Sequence, residues 1–348
     1  MNTEIFFMDE NNIDFDKIDK AAEIIRNNGT VIFPTETVYG LGANALSGEA
    51  VKGIFTAKGR PNDNPLIAHI SSMNMLLYLI GSPLSSGAKL LIDKYWPGPL
   101  TLIFKRSNKV PYEVTAGLDT IAVRMPDNKI ALELIERSEL PIAAPSANIS
   151  GKPSPTMPEH VISDMQGKVD MILCGSKSRV GVESTILDLT GDIPVVLRPG
   201  GVTLEELEAV LGSVKVDRGI VGESEVPKAP GMKYTHYAPN ADMIIVKGKV
   251  GDIKKKIQEL VSENAGKGLK VGVLASDETE SYYKDCRVLS LGSRADTGII
   301  ASNVFEKLRE FDNIEVDIIF AEAFDESHMG MAVMNRMKKA AGFNIIEV

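Results

Sequence analysis

The stretch from Pro141 to Asn148, Pro-Ile-Ala-Ala-Pro-Ser-Ala-Asn, is the part of the chain that best indicates its fold. Residues 141–144 form an apolar run that predicts a buried strand. Ser146 and Asn148 follow two positions apart at the carboxyl end of that strand, where open α/β sheets bind their ligands. The stretch therefore predicts an α/β fold with a ligand site just beyond this strand.

The segment 58–66, Lys-Gly-Arg-Pro-Asn-Asp-Asn-Pro-Leu, is a second polar cluster far upstream. Pro61 biases Arg60 toward extended backbone, so Lys58 and Arg60 can project to one side, as alternate residues of a strand do. Two nearby cations are usually a solvated helix end, but two prolines and three Asn or Asp residues favour an ordered loop. An Arg fork beside a Lys charge predicts a site for phosphate or carboxylate.

The length and charge of the chain limit what it can be. At 348 residues it exceeds a typical single domain, so we expect two domains. The formal net charge is −9, and residues 1–212 hold 19 Lys and Arg against 26 Asp and Glu. This balance argues against a protein that binds nucleic acid mainly by neutralising phosphates. Any cationic site in this part must be local.

The sequence holds two cysteines, Cys174 and Cys286, and no Cys-x-x-Cys. This argues against a disulfide framework or a cysteine-rich metal site and fits a reducing compartment. Residues 1–10 lack the basic and apolar regions of a signal peptide, and no apolar run approaches the length of a membrane span. We therefore expect a cytoplasmic protein without membrane contact.

The hydrophobic pattern predicts a mixed α/β domain over residues 1–212, a linker or lid over 213–240 and a second domain over 241–348. In the first part we expect strands at 30–33, 66–70, 100–104, 120–124, 141–144, 169–173, 184–189 and 194–198, and helices at 15–25, 48–58, 87–95, 129–137, 158–165 and 204–211. In the last part, strands at 243–246, 270–275, 287–291 and 316–322 alternate with helices at 252–263, 299–310 and 331–341. This alternation is typical of a small parallel, Rossmann-like domain.

Residues 34–42, Pro-Thr-Glu-Thr-Val-Tyr-Gly-Leu-Gly, follow the first predicted strand. Thr35 and Thr37 offer hydroxyl groups, and the glycines would let the backbone approach a ligand. A plain glycine-rich turn into a helix is an equal alternative. The pattern Gly-x-Gly-x-x-Ala also suggests dinucleotide binding, but six residues separate the strand from the first glycine, whereas that fingerprint needs a tight turn.

Several single polar residues also stand out. His69 lies in a predicted strand, and Thr120 and Arg124 share one face of another. Ser184 and Arg198 lie at strand ends. A satisfied structural role is the more usual one for His69 and an equal alternative for Thr120 and Arg124, and Ser184 and Arg198 are weak signals when taken singly. Walker A, His-Glu-x-x-His, Gly-x-Ser-x-Gly and Cys/His metal patterns do not occur in the sequence.

Taken in order, six motifs resemble those of the YrdC-type L-threonylcarbamoyladenylate synthases. They are Pro-Thr-Glu-Thr-Val-Tyr-Gly-Leu at 34–41, Lys-Gly-Arg-Pro-x-x-Asn-Pro-Leu at 58–66, Trp-Pro-Gly-Pro-Leu-Thr at 96–101, Val-Arg-Met-Pro at 123–126, Ala-Pro-Ser-Ala-Asn at 144–148 and Arg-Pro-Gly at 198–200. The segment 230–239 and the Rossmann-like tail are similar to the long, two-domain form of that family. The resemblance implies a twisted mixed sheet with helices, plus a smaller C-terminal α/β domain.

The resemblance also implies a reaction. The family joins L-threonine, bicarbonate or CO2, and ATP into threonylcarbamoyl-AMP, with release of pyrophosphate and water, and Mg2+ accompanies the ATP. A partner transferase then modifies the adenosine 3′ of the anticodon in tRNAs that read codons beginning with A. Direct contact of the synthase with tRNA would be weak at most.

By matching position, the resemblance assigns four sets of residues. Those for threonine are Thr35, His69, Arg124 and Ser184. Those for ATP are Lys58, Asn62, Thr120, Ser146, Ser154, Arg198 and Tyr234. The catalytic set is Lys58, Arg60, Ser146 and Asn148. Tyr234, or else Tyr237, would close over the nucleotide as a lid.

Two rival functions remain open at this point. YrdC-like domains are also associated with RNA binding through a positive concavity, although the acidic balance of residues 1–212 argues against that as a sole function. A carbamoyltransferase of hydrogenase maturation embeds a similar domain, but it also carries zinc-finger cysteines, which two cysteines cannot supply.

Overall fold

The structure, a computed structural model, describes residues 1–59, 64–217 and 237–348. The chain forms two compact units. The first consists of Met1–Ser150, Pro155–Arg179 and Glu183–Lys233, and the second of Gly151–Ser154, Val180–Val182 and Tyr234–Val348. Over the described residues, none of the helices combines the length and the apolar character needed to cross a bilayer.

The first unit is built on an eleven-stranded mixed sheet with the strand order β1-β8-β2-β3-β7-β4-β6-β5-β9-β10-β11. Its strands are β1 (Glu4–Phe7), β2 (Val31–Phe33), β3 (Gly40–Asn44), β4 (Ile67–His69), β5 (Leu100–Lys105), β6 (Thr120–Arg124), β7 (Ile142–Ala144), β8 (Met171–Cys174), β9 (Thr185–Asp188), β10 (Val195–Arg198) and β11 (Lys215–Val216). The predicted mixed α/β fold is confirmed.

Eight helices of the described residues pack on this sheet. They are α1 (Phe15–Arg26), α2 (Gly48–Lys58), α3 (Met73–Leu79), α4 (Ser86–Tyr95), α5 (Tyr112–Thr115), α6 (Lys129–Ser138), α7 (Pro158–Met165) and α8 (Leu204–Leu211). Successive residues of a strand face opposite sides, so β2 sends Val31 and Phe33 into one core and Ile32 into another. Helices α1 and α6 cover the first of these cores.

Helix α2 ends where the predicted anion site begins. Ser47 caps its start by accepting a hydrogen bond from the backbone N–H of Ala50. Gly59 follows Lys58 in the left-handed conformation, with φ of 62°, which stops the helix at little cost because glycine has no Cβ. Lys58 is therefore the last helical residue, as predicted.

The segment Gly40–Asn44 is a strand, not a turn that leads into a helix. It pairs antiparallel with β2, and a Cβ atom on Gly42 would lie 2.6 Å from Ile142 Cγ2 and 2.7 Å from Phe33 Cε1. Gly42 therefore serves close side-chain packing over the strand. The dinucleotide-binding alternative is wrong, because no helix begins at these glycines.

The second unit contains a five-stranded parallel sheet, in agreement with the predicted smaller Rossmann-like domain. The strands, β12 to β16 in chain order, are Asp242–Lys247, Val271–Ala275, Arg287–Ser290, Ile318–Glu322 and Ile345–Glu347, in the spatial order β14-β13-β15-β12-β16. The helices are Val250–Gly266, Thr297–Ile314 and Met329–Ala340. The last strand was not predicted.

Candidate active site

Four polar side chains form a row across neighbouring strands of the first sheet. His69 of β4 pairs in register with Arg124 of β6. On the other side of β6, Leu102 pairs with Val123, so Thr101 of β5 follows opposite Arg124. The Thr101 hydroxyl lies 2.8 Å from the Ser184 hydroxyl, just before β9. The register thus brings three predicted threonine contacts, His69, Arg124 and Ser184, to one level of the sheet.

The Arg124 guanidinium is held from three directions. Its Nε donates to the carbonyl oxygen of Gly98 at 3.2 Å, and Nη1 donates to the Thr37 hydroxyl at 2.9 Å. Its Nη2 lies 2.6 Å from Glu36 Oε2, and both side chains of this ion pair are buried. A buried guanidinium needs such partners, and they fix its orientation.

The loop of residues 34–39 covers this row. The Thr35 hydroxyl donates to the Val38 carbonyl at 2.6 Å and accepts from the backbone N–H groups of Thr37 and Val38, so it closes a tight turn. Ser178 donates to the Thr35 carbonyl at 3.0 Å. The loop therefore presents Thr35, Glu36 and Thr37 on an ordered backbone.

His69 is a buried, uncharged imidazole. Burial, with a smaller effect of the positive charge of Arg124, lowers the pKa of His69 to about 3. Its Nδ1 lies 3.2 Å from the Ile67 carbonyl oxygen, and the ring packs edge-on against Phe33. At neutral pH the ring can offer a hydrogen bond but no charge.

Arg198 supports the far end of the row. Its Nε and Nη2 donate to the Ser184 carbonyl at 3.1 and 2.9 Å, and Nη2 also lies 3.1 Å from the Ser184 hydroxyl. One predicted nucleotide contact thus orients one predicted threonine contact.

A second cluster forms around Lys58. Lys58 Nζ donates to the Ser146 carbonyl at 2.5 Å and to the Asn148 carbonyl at 2.7 Å, and it lies 3.4 Å from Asn148 Oδ1. The Ser146 hydroxyl donates to the same Oδ1 at 2.5 Å. The two polar motifs, about ninety positions apart in the sequence, therefore form one cluster. Lys58 is buried in this cluster, with only 3 % of its surface exposed.

The loop of residues 34–39 touches both groups of polar residues. Thr37 accepts from Arg124, while Ala147 donates its backbone N–H to the Tyr39 carbonyl at 2.9 Å. Gly40 forms a bridge with Ser146. The polar row around Arg124 and the Lys58 cluster therefore both contact one loop of the first unit.

An apolar floor lies on the same face as the row. It consists of the buried residues Ile67, Ile103, Ala122, Ile186 and Leu197. Thr120 lies on this face of β6, four residues before Arg124, which is roughly 13 Å along a strand. It lines a cavity of about 520 Å³ together with Lys105, Arg106 and Asn108. Thr120 therefore lies apart from the Arg124 row.

The remaining predicted site residues lie elsewhere. Arg60, Asn62 and Tyr234 fall outside the described residues. Ser154 is fully buried and belongs to the second unit. Tyr237 also belongs to the second unit, where its ring packs 5.0 Å from that of Phe305, and this packing disfavours the alternative in which Tyr237 is the lid.

Sequence reasoning missed two members of the site, Glu36 and Thr101. The pattern Thr-Glu-Thr at 35–37 offered a signal for Glu36, since a carboxylate in a buried loop needs a charged partner. For Thr101 the signal was a hydroxyl on an otherwise apolar strand. Among the described residues, no group of three or more His, Cys, Asp or Glu side chains is placed to hold a metal ion.

Comparison with protein families accounts for both units. Residues 23–200 match the family model of Sua5, YciO and YrdC proteins, which is described as "Telomere recombination". Residues 202–342 match the model described as "Threonylcarbamoyl-AMP synthase, C-terminal domain".

Similar proteins match the chain over nearly its whole length. The threonylcarbamoyl-AMP synthase of Pyrococcus abyssi is 52 % identical over 95 % of this chain and 96 % of its own. That of Bacillus subtilis is 48 % identical over 99 % and 100 %. The crystal structure of P. abyssi Sua5 complexed with L-threonine superposes with a TM-score of 0.95 at 51 % identity, covering 99 % of this chain and 100 % of that one. The chain therefore belongs to the Sua5/YrdC family of threonylcarbamoyl-AMP synthases.

Proposed function

We propose that this protein joins L-threonine, bicarbonate or CO2, and ATP into threonylcarbamoyl-AMP, with release of pyrophosphate and water. The observation that carries the proposal is the pairing of two sites in the first unit. A row of buried polar groups around Arg124 suits an amino acid, and the Lys58 cluster suits phosphate. Full-length relatives named threonylcarbamoyl-AMP synthase, at 48 to 52 % identity, support it.

In this proposal the Arg124 row binds L-threonine. Arg124 receives the carboxylate. Only two of its five N–H groups donate to Gly98 and Thr37, and Nη2, which lies beside Glu36, forms no hydrogen bond, so N–H groups remain for a ligand. Neutral His69 and the Ser184 hydroxyl contact the polar part of the ligand. Thr35 contributes from the covering loop.

The Lys58 cluster binds the triphosphate, together with Arg60. Ser146 and Asn148 hold the Lys58 ammonium in place, so its charge is positioned before the substrate arrives. Arg198 bridges from Ser184 toward the nucleotide. Asn62 is a further ATP contact in this proposal, whereas the positions of Thr120 and Ser154 give their assignment to ATP no support. Mg2+ enters with ATP as part of the substrate.

The chemistry explains why cations surround this site. The neutral threonine amine attacks bicarbonate, which gives a carbamate and water. A carbamate oxygen then attacks the α-phosphate, and pyrophosphate leaves. Negative charge grows on the phosphate oxygens during this displacement, so the positioned Lys58, together with the charge of Arg60, stabilises the transition state without a covalent enzyme intermediate.

The product is labile and needs protection from water. We assign Tyr234 the role of a lid over the nucleotide. A partner transferase would then use the threonylcarbamoyl group to modify the adenosine 3′ of the anticodon in tRNAs that read codons beginning with A. The protein would work in the cytoplasm with at most weak tRNA contact of its own.

The decisive experiment measures pyrophosphate release and adenylate formation by the purified protein. Both should require L-threonine, bicarbonate, ATP and Mg2+ together, and omission of any one should abolish them. ATP turnover that ignores threonine would contradict the proposal. Strong, steeply salt-dependent RNA binding without synthesis would instead favour the RNA-binding alternative.

A further inference from the structure

Glu36 is a buried carboxylate whose hydrogen-bonding capacity is unused. Its side chain is fully buried, and neither Oε1 nor Oε2 accepts a hydrogen bond. Its ion-pair partner among the described residues is Arg124, whose Nη2 lies 2.6 Å from Oε2 without forming a hydrogen bond. Buried carboxylates normally accept several hydrogen bonds, because losing water is costly. The unused acceptor sites of Glu36 therefore call for a ligand.

The negative charge of Glu36 also changes which ligands can bind at Arg124. Arg124 alone would attract any carboxylate, but beside Glu36 the pair is neutral overall. A free carboxylate bound by Arg124 would be repelled by Glu36, whereas an ammonium group on the same ligand would be attracted to it. The pair is thus complementary to the zwitterion of an α-amino acid.

Resting on the proposed function, we propose that Glu36 is a specificity-determining residue that accepts a hydrogen bond from the substrate ammonium group. The zwitterion first binds with its carboxylate at Arg124 and its ammonium at Glu36, and the ammonium loses a proton before the amine attacks bicarbonate. Hydroxy acids and other anions without the ammonium bind more weakly. Hydrogen bonds to charged groups imply a preference of roughly 10-fold to 100-fold.

The test compares two ligands by titration calorimetry. L-threonine carries the ammonium group, and (R)-3-hydroxybutyrate has the same carboxylate, hydroxyl and methyl groups without it. The wild-type protein should bind L-threonine at least about tenfold more tightly. In Glu36→Gln, the affinity for L-threonine should fall by about 10-fold to 100-fold, while that for (R)-3-hydroxybutyrate stays equal or rises.

Two further variants separate selectivity from simple support of Arg124. Thr37→Val removes the hydroxyl that accepts from Arg124 Nη1 but leaves Glu36 in place, so both ligands should weaken by the same factor. Glu136→Gln changes an exposed carboxylate of the same unit and should change neither affinity. If Glu36→Gln behaves like Thr37→Val, Glu36 only orients Arg124 and the inference is wrong.

The inference can fail separately from the proposed function. If the wild-type protein does not bind L-threonine, the proposed function fails. If it binds both ligands equally well, only the role of Glu36 fails, and this result needs no variant. If Glu36→Gln does not fold, Glu36→Asp takes its place. This variant keeps the negative charge and should keep the preference for L-threonine. If it loses that preference while its affinity for (R)-3-hydroxybutyrate stays at the wild-type level, the inference is wrong.

Discussion

Each unit of this protein contains an Arg–Glu pair with a fully buried carboxylate and the same 2.6 Å separation, yet the surroundings of the two pairs differ. In the second unit, Glu322 accepts hydrogen bonds from Tyr283, Ser276 and Arg294. Arg294 also donates to the Ala323 carbonyl at 3.0 Å. In the first unit, Glu36 accepts none.

The difference indicates a structural role for the Arg294–Glu322 pair and is consistent with the ligand-binding role inferred for the Arg124–Glu36 pair. Both carboxylate oxygens of Glu322 accept hydrogen bonds from within the protein, and burial together with the Glu322 carboxylate raises the pKa of Tyr283 well above its usual range. Such a closed network stabilises the fold and leaves little for a ligand to gain. Glu36 lies beside hydroxyl groups and an arginine with spare N–H groups, so a ligand can complete its network.

The largest effect should come from breaking the closed pair. Glu322→Ala removes a fully buried carboxylate and leaves the buried Tyr283 and Ser276 hydroxyl groups and the partly buried Arg294 without this acceptor, so the free energy of unfolding of the second unit should fall by about 3 to 5 kcal/mol. Urea unfolding measures this. Glu326→Ala, which removes exposed ion pairs with Lys247 and Lys338, should cost far less. Equal losses in the two variants would contradict a special role for the buried network.

The next largest effect should come from removing Lys58 from the candidate active site. Lys58→Ala removes a charge that is held for the growing phosphate charge, so kcat for pyrophosphate release should fall by about 100-fold to 1,000-fold. Threonine binding should change much less, because Lys58 lies in the other cluster. Lys89→Ala, an exposed lysine on α4, serves as the control. Near-normal turnover in Lys58→Ala would remove Lys58 from the catalytic set.

A smaller effect concerns the side chain of the amino acid. Serine lacks one methyl group, and a fitted pocket discriminates against such a loss by about 1 to 3 kcal/mol. We therefore expect kcat/KM for serine to be about 10-fold to 200-fold below that for threonine. Measured rates of pyrophosphate release with each amino acid check this. Equal efficiency with serine, glycine and threonine would show that the site has no side-chain pocket.

The smallest effect is a pH dependence of stability from His69. Its pKa is lowered to about 3 in the folded protein but lies near 6.5 in the unfolded chain, so the unfolded chain binds the extra proton between these values. Stability should be fully present above pH 6.5 and fall with decreasing pH. Relative to His69→Asn, the wild-type protein should lose up to about 1.4 kcal/mol more per pH unit below pH 6.

Urea unfolding of the wild-type and His69→Asn proteins at pH 7, 6 and 5 measures this difference. Because both proteins share all other titrating groups, the difference in slope belongs to His69. Parallel slopes would mean that His69 is protonated as readily in the folded protein as in the unfolded chain.

Local sequence rules predicted many elements of the fold. Strand Thr120–Arg124 and helices Pro158–Met165 and Leu204–Leu211 have the predicted bounds. These segments combine clear periodicity with local stop signals. Strand Gly40–Asn44 was missed because its glycines are selected by packing against Phe33 and Ile142, which are distant in the sequence. Such a requirement has no local signature.

The candidate site divides in the same way. Motifs in the sequence predicted that Lys58, Ser146 and Asn148 carry the chemistry, and the structure brings these three residues into contact. Glu36 and Thr101 became visible only with strand register and burial. The chemical type of a residue can be read from the sequence, whereas its contact partners depend on the tertiary structure.

The sequence by itself determined the α/β class, the ends of most helices and the residue types available for phosphate and carboxylate binding, because these follow from periodicity and capping over a few residues. The tertiary structure alone decided which charges meet. Strand order brought Arg124 between His69 and Thr101, and a loop from a distant strand placed Glu36 against it. Whether a buried carboxylate receives hydrogen bonds depends on donors from remote parts of the chain, and that is why Glu322 belongs to a hydrogen-bond network of the fold while Glu36 lies beside Arg124 without a hydrogen-bond donor.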